Sequence, residues 1–494
     1  MDFVPDLALK RAELTPGRIA FADDATGRQT SYAELNDRAA RLAAALPGLG
    51  IKAGDRIAIL CLNSVMFFEV LLGCAKANVI LVPLNWRQPA PELRPILQDC
   101  GASLLLHDAE HAALAAELGV QATLSEADYE ALLARTPPGQ FATRWAASQV
   151  WYLLYTSGTT GKPKAVIQTV GMAYANYVNV GQAIDLTGQD STINFLPLFH
   201  TAGINLYTLP MLIAGGRVTV LRKFDIDAAM RLIANGACTL FFGVPAIYQA
   251  ISLHPAFAST DFSRVRAWGC GGAPLPEPLI RLFASRDVTV CNGFGMTETG
   301  PTVFLMDRAE ARARIGSVGK PQILTEVRLV DEQGRDVAEG EPGEIWMRGP
   351  NITPGYFNNA AATRGALTAD GWLKSGDVGR RDQDGYYFIV DRIKDMYISG
   401  GENVYPAEVE TVLYRFPGVL ECAVLGIADE RWGEVGCAVI LPQPDARLDA
   451  EAIRAFCRAN LAAYKVPKRI EIVTEFPRTA AGKIRKHILR DQLA

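Results

Sequence analysis

The run YTSGTTGKPKAV, residues 155–166, follows the apolar stretch WYLLY and places hydroxyl side chains, two glycines and two lysines in one short loop. Backbone N–H groups beside glycines can surround phosphate oxygens, and lysines add positive charge, so the run predicts a phosphate-binding loop. It does not fit the spacing G-x-x-x-x-G-K-[ST], because Pro163 stands where a magnesium-binding hydroxyl is required. A P-loop NTPase is therefore excluded, and on this run alone a flexible surface turn remains an alternative.

Length, charge and cysteine usage narrow the class of protein. A chain of 494 residues is too long for one ordinary core and predicts two or three domains. With Lys+Arg 49 and Asp+Glu 53 the formal net charge is −4, which gives no indication of a nucleic-acid or anionic-membrane partner. The nine cysteines occur singly and favour reduced thiols in the cytoplasm over a disulfide framework or a zinc site. Neither a secretory signal nor a membrane span is predicted, since the longest apolar stretch is interrupted by Glu69 and Lys76.

The order of apolar and amphipathic runs predicts the fold class. IAILC (57–61), a helical stretch and VILVPL (79–84) read as strand, helix and strand, and further short strands are predicted at 151–155, 217–221, 238–242 and 287–291. Strands that alternate with helices indicate a layered α/β fold with largely parallel sheets. From about residue 320, strand-like segments broken by Gly and Asp predict a small antiparallel sheet or barrel. After Asp391 a compact α+β unit is predicted to the end of the chain.

Seven further runs accompany the opening loop. They are FLPLFHTAG (195–203), GCGGAPL (269–275), NGFGMTETG (292–300), GEIWMRGPNITPGYFNN (343–359), GWLKSGDVG (371–379), DRIKDMYISGGENVYPAEVE (391–410) and PRTAAGKIRK (477–486). In type and order these runs resemble the adenylate-forming superfamily, which includes acyl-CoA synthetases such as 4-coumarate–CoA ligase, nonribosomal adenylation domains and firefly luciferase. The resemblance covers nearly the whole chain. It implies an N-terminal domain over residues 1–390 with layered α/β subdomains and a small β-barrel-like subdomain, a hinge at 391–395, and a mobile α+β lid domain at 396–494.

The resemblance also implies a two-step reaction. A carboxylate attacks the α-phosphate of ATP, pyrophosphate leaves, and the thiol of coenzyme A then displaces AMP from the acyl-AMP. Transfer of this kind needs charge neutralisation and positioning more than covalent help from the protein. The expected cofactors and co-substrates are therefore ATP, Mg²⁺ and coenzyme A.

Specific residues receive roles from the resemblance. Thr297 is expected at the α-phosphate, Glu298 at Mg²⁺, and Asp377 at the ribose hydroxyls with the help of Arg392. The residues expected to contact ATP or AMP are Thr156, Ser157, Gly158, Thr159, Thr160, Gly161, Lys162, Lys164, Gly271, Gly272, Ala273, Asn292, Gly293, Phe294, Gly295, Met296, Thr297, Asp377, Arg392 and Lys483.

The C-terminal part of the chain supplies three expected functions. Lys483, in AAGKIRK, matches the lysine that reaches the carboxylate and the α-phosphate during adenylation. Lys394 matches the hinge position, where backbone torsions absorb the rotation between two domain arrangements. Gly400 and Gly401 are expected to line the pantetheine tunnel, where side chains would leave no space.

His200 is one of only five histidines. A lone histidine is more often structural than catalytic, but the resemblance implies that this position borders the acyl pocket and controls access of the thiol. We therefore favour a gating role over general-base catalysis, because a thiol with a reference pKa like that of cysteine does not need a strong base.

The residues expected to line the acyl pocket are apolar or small. Its predicted residues are His200, Thr201, Gly203, Ile204, Val244, Tyr248, Gly269, Cys270, Phe294, Met296 and Val303. None of them is Lys or Arg, which favours a hydrophobic monocarboxylic acid. The glycine at 269 favours aryl or arylpropenoic acids such as cinnamate, coumarate or ferulate, with medium-chain and long-chain fatty acids as the alternative.

Other functions remain open on the sequence. A ligase that loads a carrier protein is disfavoured because no carrier domain follows Lys483. A luciferase-like oxygenase shares the first half-reaction, and a nonenzymatic nucleotide binder would not need a remote lysine. The expected partners are a small carboxylic acid, ATP and coenzyme A, without nucleic acid or a membrane span, in a cytoplasmic monomer or homodimer.

Overall fold

The structure is a computed structural model that describes residues 2–156, 163–399, 402–478 and 483–493. The helices of the first part are α1 (Leu7–Leu14), α2 (Tyr32–Ala45), α3 (Val65–Lys76), α4 (Ala90–Cys100), α5 (Ala112–Glu117), α6 (Glu126–Arg135) and α7 (Val170–Ile184). The strands are β1 (Phe3–Pro5), β2 (Ile19–Asp23), β3 (Gln29–Ser31), β4 (Arg56–Leu60), β5 (Ile80–Pro83), β6 (Ala102–His107), β7 (Thr123–Ser125), β8 (Arg144–Ala146), β9 (Val150–Thr156) and β10 (Lys164–Thr169).

The central part of the chain contributes most of the strands around the candidate site. Its helices are α8 (Thr208–Ala214), α9 (Ile226–Ala234), α10 (Pro245–Leu253), α11 (Glu277–Ala284) and α12 (Ala360–Ala366). Its strands are β11 (Ser191–Asn194), β12 (Arg217–Val220), β13 (Leu240–Gly243), β14 (Ala267–Cys270), β15 (Val290–Phe294), β16 (Phe304–Leu305), β17 (Ser317–Pro321), β18 (Glu326–Val330), β19 (Gly343–Arg348), β20 (Leu373–Arg381) and β21 (Tyr387–Arg392).

The C-terminal part forms a sheet of its own with three helices. The strands are β22 (Tyr397–Ser399), β23 (Glu402–Val404), β24 (Val419–Asp429), β25 (Gly433–Pro442) and β26 (Arg469–Ile472). The helices are α13 (Pro406–Leu413), α14 (Ala450–Asn460) and α15 (Lys486–Leu493).

Local sequence explains where several helices begin. Ser64 caps α3 by accepting a hydrogen bond from the Phe67 N–H, and Asp225 caps α9 by accepting one from Ala228. A capping side chain satisfies an N–H group that has no partner inside the helix. All residues of α3 from Met66 to Lys76 are buried, which accounts for its nearly continuous apolar sequence.

Two large sheets and the two-stranded sheet β1-β8 form the large N-terminal domain. Six strands lie in the order β10-β9-β5-β4-β6-β7, in which β4 pairs parallel to β5 and β6. A second path of 13 strands runs β18-β19-β20-β21-β17-β16-β15-β14-β13-β11-β12-β2-β3. Its half from β15 to β2 is parallel, as the alternation of strands and helices predicts, and the half from β16 to β18 is antiparallel.

The predicted texture change near residue 320 is confirmed as the antiparallel half of this path. It is joined to the parallel half through the pairing of β16 with β15, so the two halves share one hydrogen-bonded sheet. The strand predicted at 287–291 lies at Val290–Phe294, further along the chain, because Asp287 has positive φ and belongs to the turn after α11. The mixed α/β class with a large and a small domain is therefore the observed fold.

Apolar packing fills both domains. One cluster joins α2, α3 and α8 beneath the sheets, and a second packs α9, α10 and α11 against one face of β13 and β14. The small domain has its own core around Tyr397, Val424 and Ile440. Within the part of the chain that the structure describes, no helix has the length and apolarity needed to cross a bilayer. The nine cysteines are free thiols, and only Cys291 is less than fully buried.

Candidate active site

The opening loop is held at both ends by a β-hairpin. β9 and β10 pair antiparallel with Thr156 opposite Lys164, and the Thr156 hydroxyl lies 3.4 Å from the Lys164 carbonyl oxygen that accepts its hydrogen bond. The Lys164 amino group lies 5.4 Å from the centre of the Tyr356 ring. The predicted phosphate ligands Ser157, Gly158, Thr159, Thr160, Gly161 and Lys162 lie outside the described residues. Their flanking residues stand at the edge of the site described below.

Glu298 lies buried beside this hairpin. It follows β15 in a short 3-10 turn, and Tyr356 donates a hydrogen bond from its hydroxyl to Glu298 Oε1 over 2.9 Å. The Glu298 carbonyl accepts the Thr353 N–H over 2.8 Å, and the Gln168 side chain donates to the Thr297 carbonyl over 2.8 Å. The turn is therefore fixed from two directions. Tyr356 lies inside a quoted motif, but its role was not predicted.

The environment of Glu298 suits a magnesium ion. Burial raises the pKa of Glu298, while the Tyr356 hydrogen bond and the charges of Lys164 and Arg392 oppose that rise. A divalent cation would stabilise the buried carboxylate, and Mg²⁺ is commonly held by one or two carboxylates together with substrate phosphates. Among the described residues, no group of three or more His, Cys, Asp or Glu is arranged so that it could hold a metal ion by itself.

The predicted ribose pair is assembled across two strands. Asp377 on β20 stands opposite Arg392 on β21, and Arg392 Nε donates to Asp377 Oδ1 over 3.2 Å. Asp377 is 5% exposed, and burial raises its pKa, opposed by the charges of Arg392 and Lys483. A ribose has two neighbouring hydroxyl groups, and a single ionised carboxylate can accept a hydrogen bond from each of them.

The predicted adenine shelf is a flat strip of backbone at the end of β14. A Cβ atom at position 271 would lie 3.1 Å from Phe242 Cζ and 3.2 Å from the Gly293 carbonyl oxygen, closer than ordinary packing. Gly272 has φ +82, which favours glycine. Gly272 and Ala273 are exposed, so a flat ring can approach them. β15 lies beside this strip and brings Asn292 opposite Cys270.

Gly295 has a different reason for lacking a side chain. A Cβ atom there would lie 1.8 Å from the Pro301 carbonyl oxygen. The glycine therefore permits the chain to fold back from β15 to residues 301–303. Phe294 and Met296, on either side of it, are half-buried and pack against the cluster of Val303 and Phe304.

Lys483 reaches this cleft from the small domain. Its Cε atom lies 3.8 Å from the Cβ position of Gly272, and its charge acts on Asp377 and His200. Part of the residue is exposed to solvent. Desolvation of the amino group by the surrounding protein lowers the pKa of Lys483 to about 8. The positive charges of Arg392 and Lys394 lower it further, and Asp377 opposes them. Residues far apart in sequence thus meet at one site.

The hinge and tunnel residues are only partly described. Lys394 is exposed in the turn between β21 and β22, where the Asp395 and Met396 N–H groups donate to the Arg392 carbonyl over 3.0 and 3.1 Å. Gly400 and Gly401 lie outside the described residues. Their predicted roles, like that of Lys394, stay predictions.

His200 stands at the far side of the cleft. Its Nε2 atom is buried without a hydrogen-bond partner among the described residues, and its ring centre is 4.7 Å from that of Phe199. Burial lowers the pKa of His200 to about 4, and the charges of Lys483 and Arg87 act in the same direction. The imidazole is therefore neutral near pH 7, and its gating role stays a prediction.

Strand alternation divides the predicted acyl-pocket residues between two faces. Phe242, Gly269 and Cys291 stand opposite one another on β13, β14 and β15, and Gly271 lies on the same face as Gly269. A Cβ atom at Gly269 would lie 2.8 Å from both the Phe242 ring and the Tyr207 hydroxyl. Phe242 and Tyr207 therefore border the face of β14 that carries Gly269, although neither is among the residues predicted for the pocket.

Cys270 and Tyr248 lie behind the strand. Cys270 is fully buried in the cluster packed against α10 and α11, and Tyr248 joins the rings of Trp268 and Phe283 in the same cluster. The Tyr248 hydroxyl donates to the Gly269 carbonyl over 2.8 Å. Cys270 therefore lies on the face of β14 opposite to Gly269, since neighbours in a strand point to opposite faces. Contact of Cys270 and Tyr248 with an acid stays a prediction.

The other predicted wall residues have mixed environments. Gly203 packs on backbone, because a Cβ atom there would lie 2.4 Å from the Pro197 carbonyl oxygen. Ile204 and Val303 are fully buried in apolar clusters, and Thr201 is 6% exposed. Val244 contacts the shelf, with Cγ1 3.6 Å from the Cβ position of Gly272. Their contact with an acid stays a prediction.

Comparison with known proteins gives a consistent result. Residues 9–357 match the family described as AMP-binding enzyme, and residues 408–483 match the AMP-binding enzyme C-terminal domain. A feruloyl-CoA synthase from an Amycolatopsis species is 43% identical over 98% of this chain and 97% of its own length. An indoleacetate–CoA ligase from Aromatoleum aromaticum is 37% identical over 98% of this chain and 97% of its own. The crystal structure of ATP-bound MatB from Rhodopseudomonas palustris has a TM-score of 0.91 at 30% identity, with 99% of each chain covered.

Proposed function

The chain belongs to the AMP-binding enzyme family and is an AMP-forming acid–thiol ligase that uses ATP and coenzyme A, and we propose that its acid is an arylpropenoic acid such as ferulate or coumarate. The observation that carries the proposal is the pocket face of β13 to β15. There Gly269 and Gly271 place side-chain-free backbone against the Phe242 ring, and no Lys or Arg is among the residues predicted for the wall. An apolar, aromatic-lined wall of this kind favours a flat apolar group. Similarity to ligases named for ferulate and indoleacetate, both aromatic acids, supports the same choice.

We propose that the nucleotide occupies the cleft between the shelf and the strand pair β20–β21. The base would lie on Gly271 to Ala273, and the ribose hydroxyls would donate to Asp377, whose charged form the Arg392 guanidinium favours. Residues 156–164 are the proposed ligands of the β- and γ-phosphates. Thr297 would contact the α-phosphate, and Glu298 would hold Mg²⁺, which would neutralise phosphate charge.

Lys483 has the central role in the proposed adenylation step. The acid's carboxylate displaces pyrophosphate from the α-phosphorus of ATP, and negative charge gathers on the oxygens around that phosphorus. A protonated Lys483 lies beside the shelf and can donate hydrogen bonds to the carboxylate and the α-phosphate at once. Its pKa of about 8 leaves most of the amino group charged at neutral pH.

The thioester step is proposed to follow a movement of the small domain. The boundaries proposed are 1–390 for the large domain, 391–395 for the hinge and 396–494 for the lid, with Lys394 as the residue whose backbone turns. Rotation removes Lys483 from the cleft and brings the segment with Gly400 and Gly401 to line the pantetheine path. His200, neutral and between the acid and that path, opens it by changing rotamer.

The proposed setting is the cytoplasm, where thiols stay reduced. All nine cysteines are free, including the eight that are buried. Coenzyme A is itself a thiol and is best preserved in the same reducing conditions.

A pyrophosphate-release screen tests the proposed acid. Purified protein receives Mg-ATP and coenzyme A together with benzoic, phenylacetic, cinnamic, hydroxycinnamic and C4 to C16 fatty acids, and kcat/KM is compared. A preference for the hydroxycinnamic acids supports the proposal. A preference for aliphatic chains contradicts it and favours the fatty acyl-CoA ligase alternative. Pyrophosphate release without consumption of coenzyme A indicates a ligase for a carrier protein.

A further inference from the structure

The segment between His200 and Tyr207 contains buried polar atoms that lack partners. His200 Nε2, Asn205 Oδ1 and the Tyr207 hydroxyl have no hydrogen-bond partner among the described residues. Residues Ala202–Leu206 between them form a π-helical turn, a rare element that is frequent at functional sites. Because nearly all buried polar groups in folded proteins are hydrogen-bonded, these exceptions need an explanation, and a bound ligand is one that a functional site supplies.

Tyr207 is placed to meet such a partner in the acyl pocket. The residue is 6% exposed, and its hydroxyl oxygen lies 2.8 Å from the Cβ position of Gly269. Its ring stands nearly perpendicular to that of Phe242, with the centres 5.6 Å apart. Two aromatic walls therefore meet at Gly269, and the only polar atom that they bring to this corner is the Tyr207 hydroxyl.

Tyr248 provides an internal comparison on the other side of the same glycine. Its hydroxyl is equally buried but donates to the Gly269 carbonyl over 2.8 Å. One tyrosine hydroxyl behind β14 is thus satisfied by the protein, and the one in front of it is not. The difference indicates that the front hydroxyl serves a ligand and the rear one the fold.

Distance along the strand relates Tyr207 to Lys483. Lys483 lies at Gly272 and Tyr207 at Gly269, three residues apart, and three residues of chain span at most about 10 Å. In 4-hydroxycinnamic acid a propenoate group and a ring separate the carboxylate from the phenolic oxygen, so the molecule spans a comparable length. With its carboxylate at Lys483, the acid brings its 4-hydroxyl to the Gly269 corner.

We propose that the Tyr207 hydroxyl hydrogen-bonds the 4-oxygen of the bound arylpropenoic acid and thereby selects 4-hydroxylated acids over unsubstituted cinnamate. This inference rests on the proposed function. A tyrosine hydroxyl can donate and accept, so it satisfies a phenol in either direction. A site built around such a bond rejects acids that lack the oxygen, because Tyr207 is then left unpaired.

The test compares Tyr207→Phe with the matched variant Tyr248→Phe. Both remove one buried hydroxyl beside Gly269 and keep the ring. We measure kcat/KM for 4-hydroxycinnamate, 4-hydroxy-3-methoxycinnamate and cinnamate, with thermal unfolding and the KM for ATP as checks on folding and on the nucleotide site. Tyr207→Phe is expected to lower kcat/KM for the two 4-hydroxylated acids about 10- to 100-fold and to leave cinnamate unchanged or improved. Tyr248→Phe is expected to leave the ratio between the acids at its wild-type value.

Two results overturn the inference. One is an unchanged ratio between 4-hydroxylated acids and cinnamate in Tyr207→Phe. The other is a shift of that ratio of equal size in Tyr248→Phe. Failure of the proposed function is recognised separately, because wild-type protein would then turn over fatty acids and neither kind of cinnamate.

Discussion

The two ends of the cleft satisfy their polar groups in opposite ways. At the nucleotide end, Glu298 accepts from Tyr356 and Asp377 accepts from Arg392, so both buried carboxylates already have partners in the protein. At the acyl end, His200 Nε2 and the Tyr207 hydroxyl are buried with no partner among the described residues. The nucleotide is common to all reactions of the family, and groups that bind it can be fixed in advance. The acid varies, and the groups that meet it remain available for its own polar atoms.

This comparison separates the expected effects of substitutions. Changes at the nucleotide end should affect every acid equally, while changes at the acyl end should alter the ranking of acids and leave ATP untouched. Variants at each end test whether nucleotide binding and acid selectivity are independent.

The largest effect is expected from Lys483→Ala. Removing the amino group beside Gly272 takes away a charged donor at the reacting phosphorus, and adenylation should slow about 10²- to 10³-fold for every acid. Thioester formation from supplied acyl-AMP should stay within a few-fold of wild type. Stopped-flow pyrophosphate release and thioester formation from acyl-AMP measure the two steps. Lys468→Ala, an exposed lysine of the same domain, serves as the control, and a normal adenylation rate in Lys483→Ala would falsify the assignment.

Asp377→Asn is expected to act on ATP alone. The substitution keeps the shape but removes the charge that faces Arg392, and the KM for ATP should rise about 10- to 100-fold through weaker hydrogen bonds to the ribose. The KM for the acid should change little. Asp370→Asn, at an exposed carboxylate on the approach to β20, is the matched control. Loss of selectivity among acids in Asp377→Asn would contradict the separation of the two ends.

Gly269→Ala tests the acyl end. Its new methyl group would lie 2.8 Å from both Phe242 and the Tyr207 hydroxyl, so these two aromatic side chains must shift and the pocket face changes shape. We expect about a tenfold fall in kcat/KM for ring-substituted acids and an unchanged KM for ATP. Small aliphatic acids should lose less. Equal losses for all acids, or a raised KM for ATP, would show that Gly269 serves the sheet instead of the pocket.

The smallest effect is a pH dependence of adenylation. Lys483 carries its charge below its pKa of about 8 and loses it above, so the rate should fall with rising pH, by about fourfold between pH 7 and pH 8.5. The fall should be alike for all acids. Lys483→Arg should be slower but flat over this range, because arginine stays protonated. A decline of the same shape in both proteins would assign the titration to another group.

The nucleotide end could be predicted from sequence more fully than the acyl end. Asp377, Arg392, Glu298 and Lys483 lie in runs whose residue types are tied to a constant ligand, and the structure brings them together as expected. Tyr356 was missed because its hydrogen bond to Glu298 spans 58 residues and leaves no local pattern.

The acyl end depends on which face of a strand a residue occupies. In the sequence AWGCGG around β14 the glycines carry little hydrophobic alternation, so the phase of the strand could not be read. The sequence therefore predicts Cys270 and Gly269 together as pocket residues, and only the structure shows that they lie on opposite faces of β14. Phe242 and Tyr207 come from separate elements and reach the pocket only through the register of β13 with β14 and the turn before α8.

The 13-stranded sheet fixes the distance between the proposed adenine and ribose sites. The adenine shelf on β14 and the Asp377–Arg392 pair on β20 and β21 are linked through β15, β16 and β17 by continuous strand pairing. Their separation is therefore set by the spacing of strands, about 4.8 Å for each step, and does not follow the position of the small domain. The sheet therefore favours a nucleoside whose base and ribose have this fixed separation. A nucleotide with a spacer between base and sugar would not place both groups at these two positions, whereas the length of the acid is limited by the chain segment from Gly269 to Gly272.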